Sequence, residues 1–218
     1  MDRDGPDQPR VDVWWVDLGG DALTPAVLAR LTPAERQRVD AYESPEAALR
    51  FAAARIVARA VDKGGTDGTA CSLSFAHSGY GLAVAVATGV EVGVDVEAVG
   101  PGVRTGDIPV EFCTGEVRRR LAGLADDDAR WTAFLRHWVR KEAAAKSAGL
   151  GLLLDMASVP MTGSGPGEYR ARLPDGRRLR IVDLAVPDGY AAALATAGPA
   201  VVTLRRYPWP DGPSSTVP

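Results

Sequence analysis

One stretch, Val90-Glu91-Val92-Gly93-Val94-Asp95-Val96-Glu97, leaves the chain little choice of local structure. Valine at every second position is the period of a β-strand. Val90, Val92, Val94 and Val96 then share one face, and Glu91, Gly93, Asp95 and Glu97 share the other. Asp95 and Glu97 stand side by side near the strand's end, where two like charges repel. A hard divalent cation would offset that repulsion, because Mg2+ is typically held by one or two carboxylates together with phosphate oxygens. Taken alone, the pair reads more readily as two solvated acids on a strand edge.

The 218-residue chain is long enough for one large domain or two small ones, and 46% of it is apolar. A net charge of −3 gives no broad electrostatic case for nucleic acid or an anionic membrane. Any phosphate-bearing partner must therefore meet a local basic patch. Cys71 and Cys113 have no metal-like spacing and suggest no disulfide framework, so a reducing cytoplasm is expected. The N-terminus lacks an apolar signal-like region, and no apolar run is long enough to span a membrane.

Along the chain, residues 11–18 read as a strand. Thr24-Pro25, Thr32-Pro33 and Ser44-Pro45 each offer a hydroxyl cap followed by proline at the first helical position, and Glu35 completes a capping box. The third helix runs from about Pro45 to Val61. Strands are expected at 71–75, 81–88 and 90–97, the last two forming a hairpin through Thr88-Gly89. A Gly/Pro loop over 99–109 is the best boundary. Helices follow from Thr114 and Asp126, the second carrying the stripe Trp131, Phe134, Leu135, Trp138 and Val139. Four short strands are expected at 169–173, 179–184, 190–195 and 201–206. The order predicts an α+β protein with halves at 1–98 and 99–207, and a loose tail over 208–218.

On the last long helix, Glu142 and Lys146 lie at i and i+4 and share a face. Alone they read as an exposed ion pair. Together with Asp95 and Glu97 they make three carboxylates and a lysine, a set suited to holding a pyrophosphate through a metal.

Gly93-Val94-Asp95-Val96-Glu97, followed about forty residues later by Trp138-x-Arg140-Lys141-Glu142-x-x-x-Lys146, resembles the paired signature of the Sfp-type 4′-phosphopantetheinyl transferases. Each half is weak, but the pair at this spacing is specific. Phe112 to Glu116, Gly149-Leu150-Gly151-Leu152, Ser74 to Gly79 and the arginines of the third helix are similar to further family features, so that the resemblance covers residues 11–206.

The resemblance implies two pseudo-symmetric α+β halves with the active site in the cleft between them. It implies a holo-[carrier-protein] synthase type of reaction, in which phosphopantetheine passes from coenzyme A to a serine of an acyl or peptidyl carrier protein in secondary metabolite biosynthesis. By matching positions, Asp95, Glu97 and Glu142 would hold Mg2+. Glu142 would take the serine proton. Lys146 would stabilise or protonate the departing 3′,5′-ADP, and Lys141 would contact phosphate as well. His77 would lie near the nucleotide's 3′-phosphate, with one or two of Arg50, Arg55 and Arg59 beside it. The carrier would dock near Phe112, Val117 and Leu121, its acidic helix facing Arg118, Arg119 and Arg120. A cytoplasmic monomer is expected.

The chain departs from the family in three places. The link Val61 to Ala70 is short and has no Gly-Lys-Pro loop, Ala76 replaces a serine before His77, and Val139 replaces a Ser or Thr. These departures suit an alternative: the same fold put to another enzymatic or carrier-binding use, with weakened or lost use of coenzyme A. A Mg2+ phosphohydrolase on another fold would explain the acids but not the remaining pattern.

Overall fold

The computed structural model describes residues 8–19, 23–61, 71–100, 102–103, 107–151 and 155–209. The short link at 62–70, Leu152 and the end of the tail lie outside them. The chain is α+β, with two sheets. The first sheet has the order β2 (Cys71–Ser78), β3 (Gly81–Thr88), β1 (Arg10–Asp17), β9 (Val201–Arg206), with β1 and β9 parallel. The second has the order β4 (Val92–Ala98), β8 (Tyr190–Thr196), β7 (Arg178–Asp183), β6 (Glu168–Arg172), β5 (Met161–Gly165), antiparallel throughout.

The helices start where hydroxyl and carboxylate caps predict. α1 (Pro25–Ala29) and α2 (Pro33–Asp40) are capped by Thr24 and Thr32, and Glu35 closes the capping box. α3 (Pro45–Val61) begins at Ser44, whose Oγ accepts the Ala47 N–H. Thr114 caps α4 (Gly115–Ala122) and Asp126 caps α5 (Asp127–Ala148). Gly149, left-handed at φ 69°, ends α5. Among the described residues no helix is long and apolar enough to cross a membrane.

Three apolar cores make four layers. Val16, Leu82 and Val84 pack against α1–α3. The other face of the first sheet, with Val13, Trp15 and Ala85, packs on Val92, Val94, Val96 and Leu194 of the second. The second sheet's far face, with Ile181, Ala193 and Ala195, packs on α5. The alternation in β4 thus divides as read: valines go between the sheets, while Gly93, a residue with no side chain to obstruct it, lies against α5.

The expected hairpin between residues 81–88 and 90–97 does not form. β3 has both edges occupied by full eight-residue ladders with β1 and β2, so β4 crosses to the second sheet and pairs with β8. Gly89, at φ +76°, turns the chain out of the first sheet. β5 is a strand that the local pattern did not signal. Trp209 is buried in the core beneath α1–α3, so the chain is packed through residue 209, and the rest of the expected tail lies outside the described residues.

Candidate active site

The sheets meet edge to edge along β2 and β4 without a backbone ladder between them. Serine hydroxyls of β2 span the seam. Ser72, Ser74 and Ser78 accept the N–H groups of Val92, Val94 and Ala98 at 3.1, 3.0 and 3.0 Å. Ala76 lies between the last two and has no hydroxyl to offer.

Lys146, from α5, closes the same seam. Its Nζ donates to Phe75 O of β2 at 3.3 Å, to Val94 O of β4 at 3.1 Å and to Asp95 Oδ1 at 2.7 Å. One ammonium therefore ties both sheets and the helix together at the acids.

Asp95 is 6% exposed. Burial pushes its carboxyl up to about 7, the charge and hydrogen bond of Lys146 pull it down, and the nearby charges of Glu97 and Glu142 push it up. Its Oδ2 is buried and has no hydrogen-bond partner. Such an orphaned oxygen is costly unless a cation or donor satisfies it. Glu97 is half-buried; burial raises its carboxyl, while the hydrogen bond from Ser78 Oγ at 2.9 Å and the charge of Lys146 lower it. Glu142, half-buried on α5, faces both acids closely enough for its charge to act on each. Among the described residues no three His, Cys, Asp or Glu side chains stand as a ready-made metal cluster. The donor set nonetheless fits a hard divalent cation: carboxylate oxygens converge, one is unsatisfied, and one ammonium cannot balance three acids.

His77, on β2, lies within electrostatic reach of Arg50 and Lys146; burial, followed by these two cations, lowers its pKa. Arg50 donates to Gly79 O at 3.4 Å, and its buried Nε has no hydrogen-bond partner. The structure therefore brings Asp95, Glu97, Glu142, Lys146, His77 and Arg50 together. It places two other expected residues elsewhere. Arg55 is exposed, with its guanidinium 5.4 Å from the centre of the Phe51 ring. Arg59 pairs with Glu35 at 2.5 Å and donates to Arg30 O.

Lys141 does not reach phosphate as the sequence reading supposed. It is 1% exposed, and its Nζ donates to Met156 O at 2.6 Å and to Val159 O. One residue along a helix is a turn of about 100°, which carries Lys141 off the face shared by Glu142 and Lys146. Burial lowers its pKa to about 8. Arg140 likewise serves packing, with a two-pronged pair to Asp183 at 2.7 Å and its guanidinium 3.9 Å from the Tyr169 ring centre.

The expected docking face is divided. Leu121 is buried and Val117 packs on the core beneath it, whereas Arg118, Arg119 and Arg120 are exposed. Phe112 is 37% exposed beside Val110 at 47%. What sequence reasoning missed is the seam that the serines of β2 build against β4. Their signal was hydroxyls at i, i+2 and i+6 on a strand, legible only once β2 is known to lie beside β4.

No curated protein matches the chain. Residues 91–195, from the loop before β4 to near the end of β8 and including Asp95, Glu97, Glu142 and Lys146, match the family model of the 4′-phosphopantetheinyl transferase superfamily.

Proposed function

We propose that the chain is an Sfp-type, Mg2+-dependent phosphopantetheinyl transferase that moves phosphopantetheine from coenzyme A to a serine of an acyl or peptidyl carrier protein. The observation that carries this reading is the buried, unsatisfied Asp95 Oδ2 among three carboxylates that share a single ammonium. Asp95, Glu97 and Glu142 would hold the cation. Bound there, Mg2+ supplies neutralising charge for the coenzyme A pyrophosphate.

In the transfer, the carrier serine Oγ forms a bond to the phosphorus that bears pantetheine, and the bond from that phosphorus to the 3′,5′-ADP oxygen breaks. The serine proton goes to Glu142, directly or through a water. Lys146, whose ammonium sits beside Asp95, would balance the charge of the departing phosphate. His77 and Arg50 lie on the β2 side of the acids, where they would bind the nucleotide's 3′-phosphate. No protein nucleophile is needed, because phosphoryl chemistry of this kind rests on positioning and electrostatics. The exposed arginines of α4, with Phe112 and Val110, would meet the acidic helix of the carrier.

Asp95→Asn and Glu142→Gln test this directly in a carrier-loading assay. Each should abolish transfer with the circular-dichroism spectrum unchanged. Wild-type turnover by either variant would refute the metal site.

A further inference from the structure

The seam between β2 and β4 contains the same three-part contact twice. Ser72 Oγ accepts the Val92 N–H at 3.1 Å and donates to Glu91 Oε2 at 3.2 Å. Six residues further along both strands, Ser78 Oγ accepts the Ala98 N–H at 3.0 Å and donates to Glu97 Oε2 at 2.9 Å. A hydroxyl has a single proton. The backbone N–H fixes the oxygen, so the proton is directed at the carboxylate, and the carboxylate is held in register with a rigid strand edge. At the first position this arrangement holds an exposed acid remote from Asp95. At the second it holds Glu97, half-buried beside Asp95.

We propose that Ser78 is a positioning residue of the cation site: it anchors one oxygen of Glu97 to the β2–β4 seam and so aims the carboxylate at the ion. The proposal rests on the metal-site reading above. Its physical basis is general, since hydrogen-bond partners that orient a ligating carboxylate typically contribute about 10- to 100-fold to metal affinity. Ser72 supplies an internal control, because it makes the same seam bond with an acid outside the site.

The test is a Mn2+ titration of the full chain, with and without coenzyme A, followed by the electron-spin resonance of free Mn2+. Ser78→Ala is expected to weaken Mn2+ binding by about 10- to 100-fold. Ser72→Ala should bind as wild type does, and Ser78→Thr, which keeps the hydroxyl, should retain affinity. Thermal melts should show similar losses for the two alanine variants, since each removes one seam bond. In carrier loading, Ser78→Ala should raise the Mg2+ concentration for half-maximal rate and leave the rate at saturating Mg2+ close to wild type. Wild-type Mn2+ affinity in Ser78→Ala, or an equal loss in Ser72→Ala, overturns the role of Ser78 and leaves the metal site standing. Absence of Mn2+ binding by the wild-type chain under both conditions overturns the metal site and this proposal together.

Discussion

The carbonyl oxygen of Ala143 stands 2.1 Å from the point where a side chain on Gly93 would begin, and Ser147 N stands 2.3 Å from it. Both are backbone atoms of α5, so neither can swing aside. Glycine at this position lets the helix that carries Glu142 and Lys146 lie directly on the strand that carries Asp95 and Glu97. Gly93→Ala should therefore force α5 off β4. Overpacking usually costs about 1–3 kcal/mol, and a backbone clash belongs at or beyond the top of that range. A marked fall in melting temperature with loss of transfer is expected. A variant as stable as wild type would show that α5 does not sit this close.

The same strand shows what a sequence discloses and what it hides. Alternating valines and acids separate the two faces of β4 without any structure, and Thr24, Thr32, Thr114 and Asp126 announce the helix starts through a local, mechanical signal. The partner of β4 was not legible. Thr88-Gly89 looks like a hairpin turn, yet β8 claims one edge of β4 from about a hundred residues away, and side-chain hydroxyls take the other. Lys141 failed for a related reason. A motif gives residue types at a spacing, whereas the carbonyls of Met156 and Val159 that turn its ammonium away become visible only in three dimensions. β5, with glycine at two of its five positions, has too little β-propensity to be seen alone.

The seam should be improvable. Ala76 lies on the face from which Ser74 and Ser78 reach β4, and alternation places the Val96 N–H opposite it. Ala76→Ser supplies the absent hydroxyl, and a gain of about 0.5–1.5 kcal/mol is expected from one added hydrogen bond. Urea unfolding measures it. A destabilised variant would mean that the buried hydroxyl finds no donor there.

Among the three arginines of α3, nucleotide contact should fall to Arg50 and not to Arg55. His77→Ala and Arg50→Ala should each raise the KM for coenzyme A by about tenfold, the value of one charged hydrogen bond. Arg55→Ala should leave KM unchanged, because its guanidinium lies over Phe51. The reverse pattern would move the 3′-phosphate to the other side of the helix.

His137 predicts acid sensitivity unrelated to catalysis. Burial, with the charges of Lys141, Arg140 and Arg120 behind it, lowers its pKa from 6.5 to about 4, and its Nε2 is buried without a hydrogen-bond partner. The unfolded chain thus takes up a proton at a higher pH than the folded one. Stability from this residue is complete above about 6.5 and is lost as pH falls toward 4. The raised Asp95 carboxyl adds an opposite slope over the same window to wild type and variant alike, so the His137 effect is read as a difference: the urea midpoint of His137→Phe minus that of wild type should grow as pH falls from about 6.5 to 4. Parallel curves would exclude His137 as the cause.

The central claim is that three acids and one lysine at the β2–β4 seam support Mg2+-dependent loading of a carrier. Intact-mass analysis of apo acyl and peptidyl carriers, incubated with this protein and coenzyme A, tests it most directly. With Mg2+, a carrier should gain the mass of one phosphopantetheine on its serine; with a chelator in place of Mg2+, it should gain none. No gain on any carrier with Mg2+ present, or equal gain under chelation, would contradict the account.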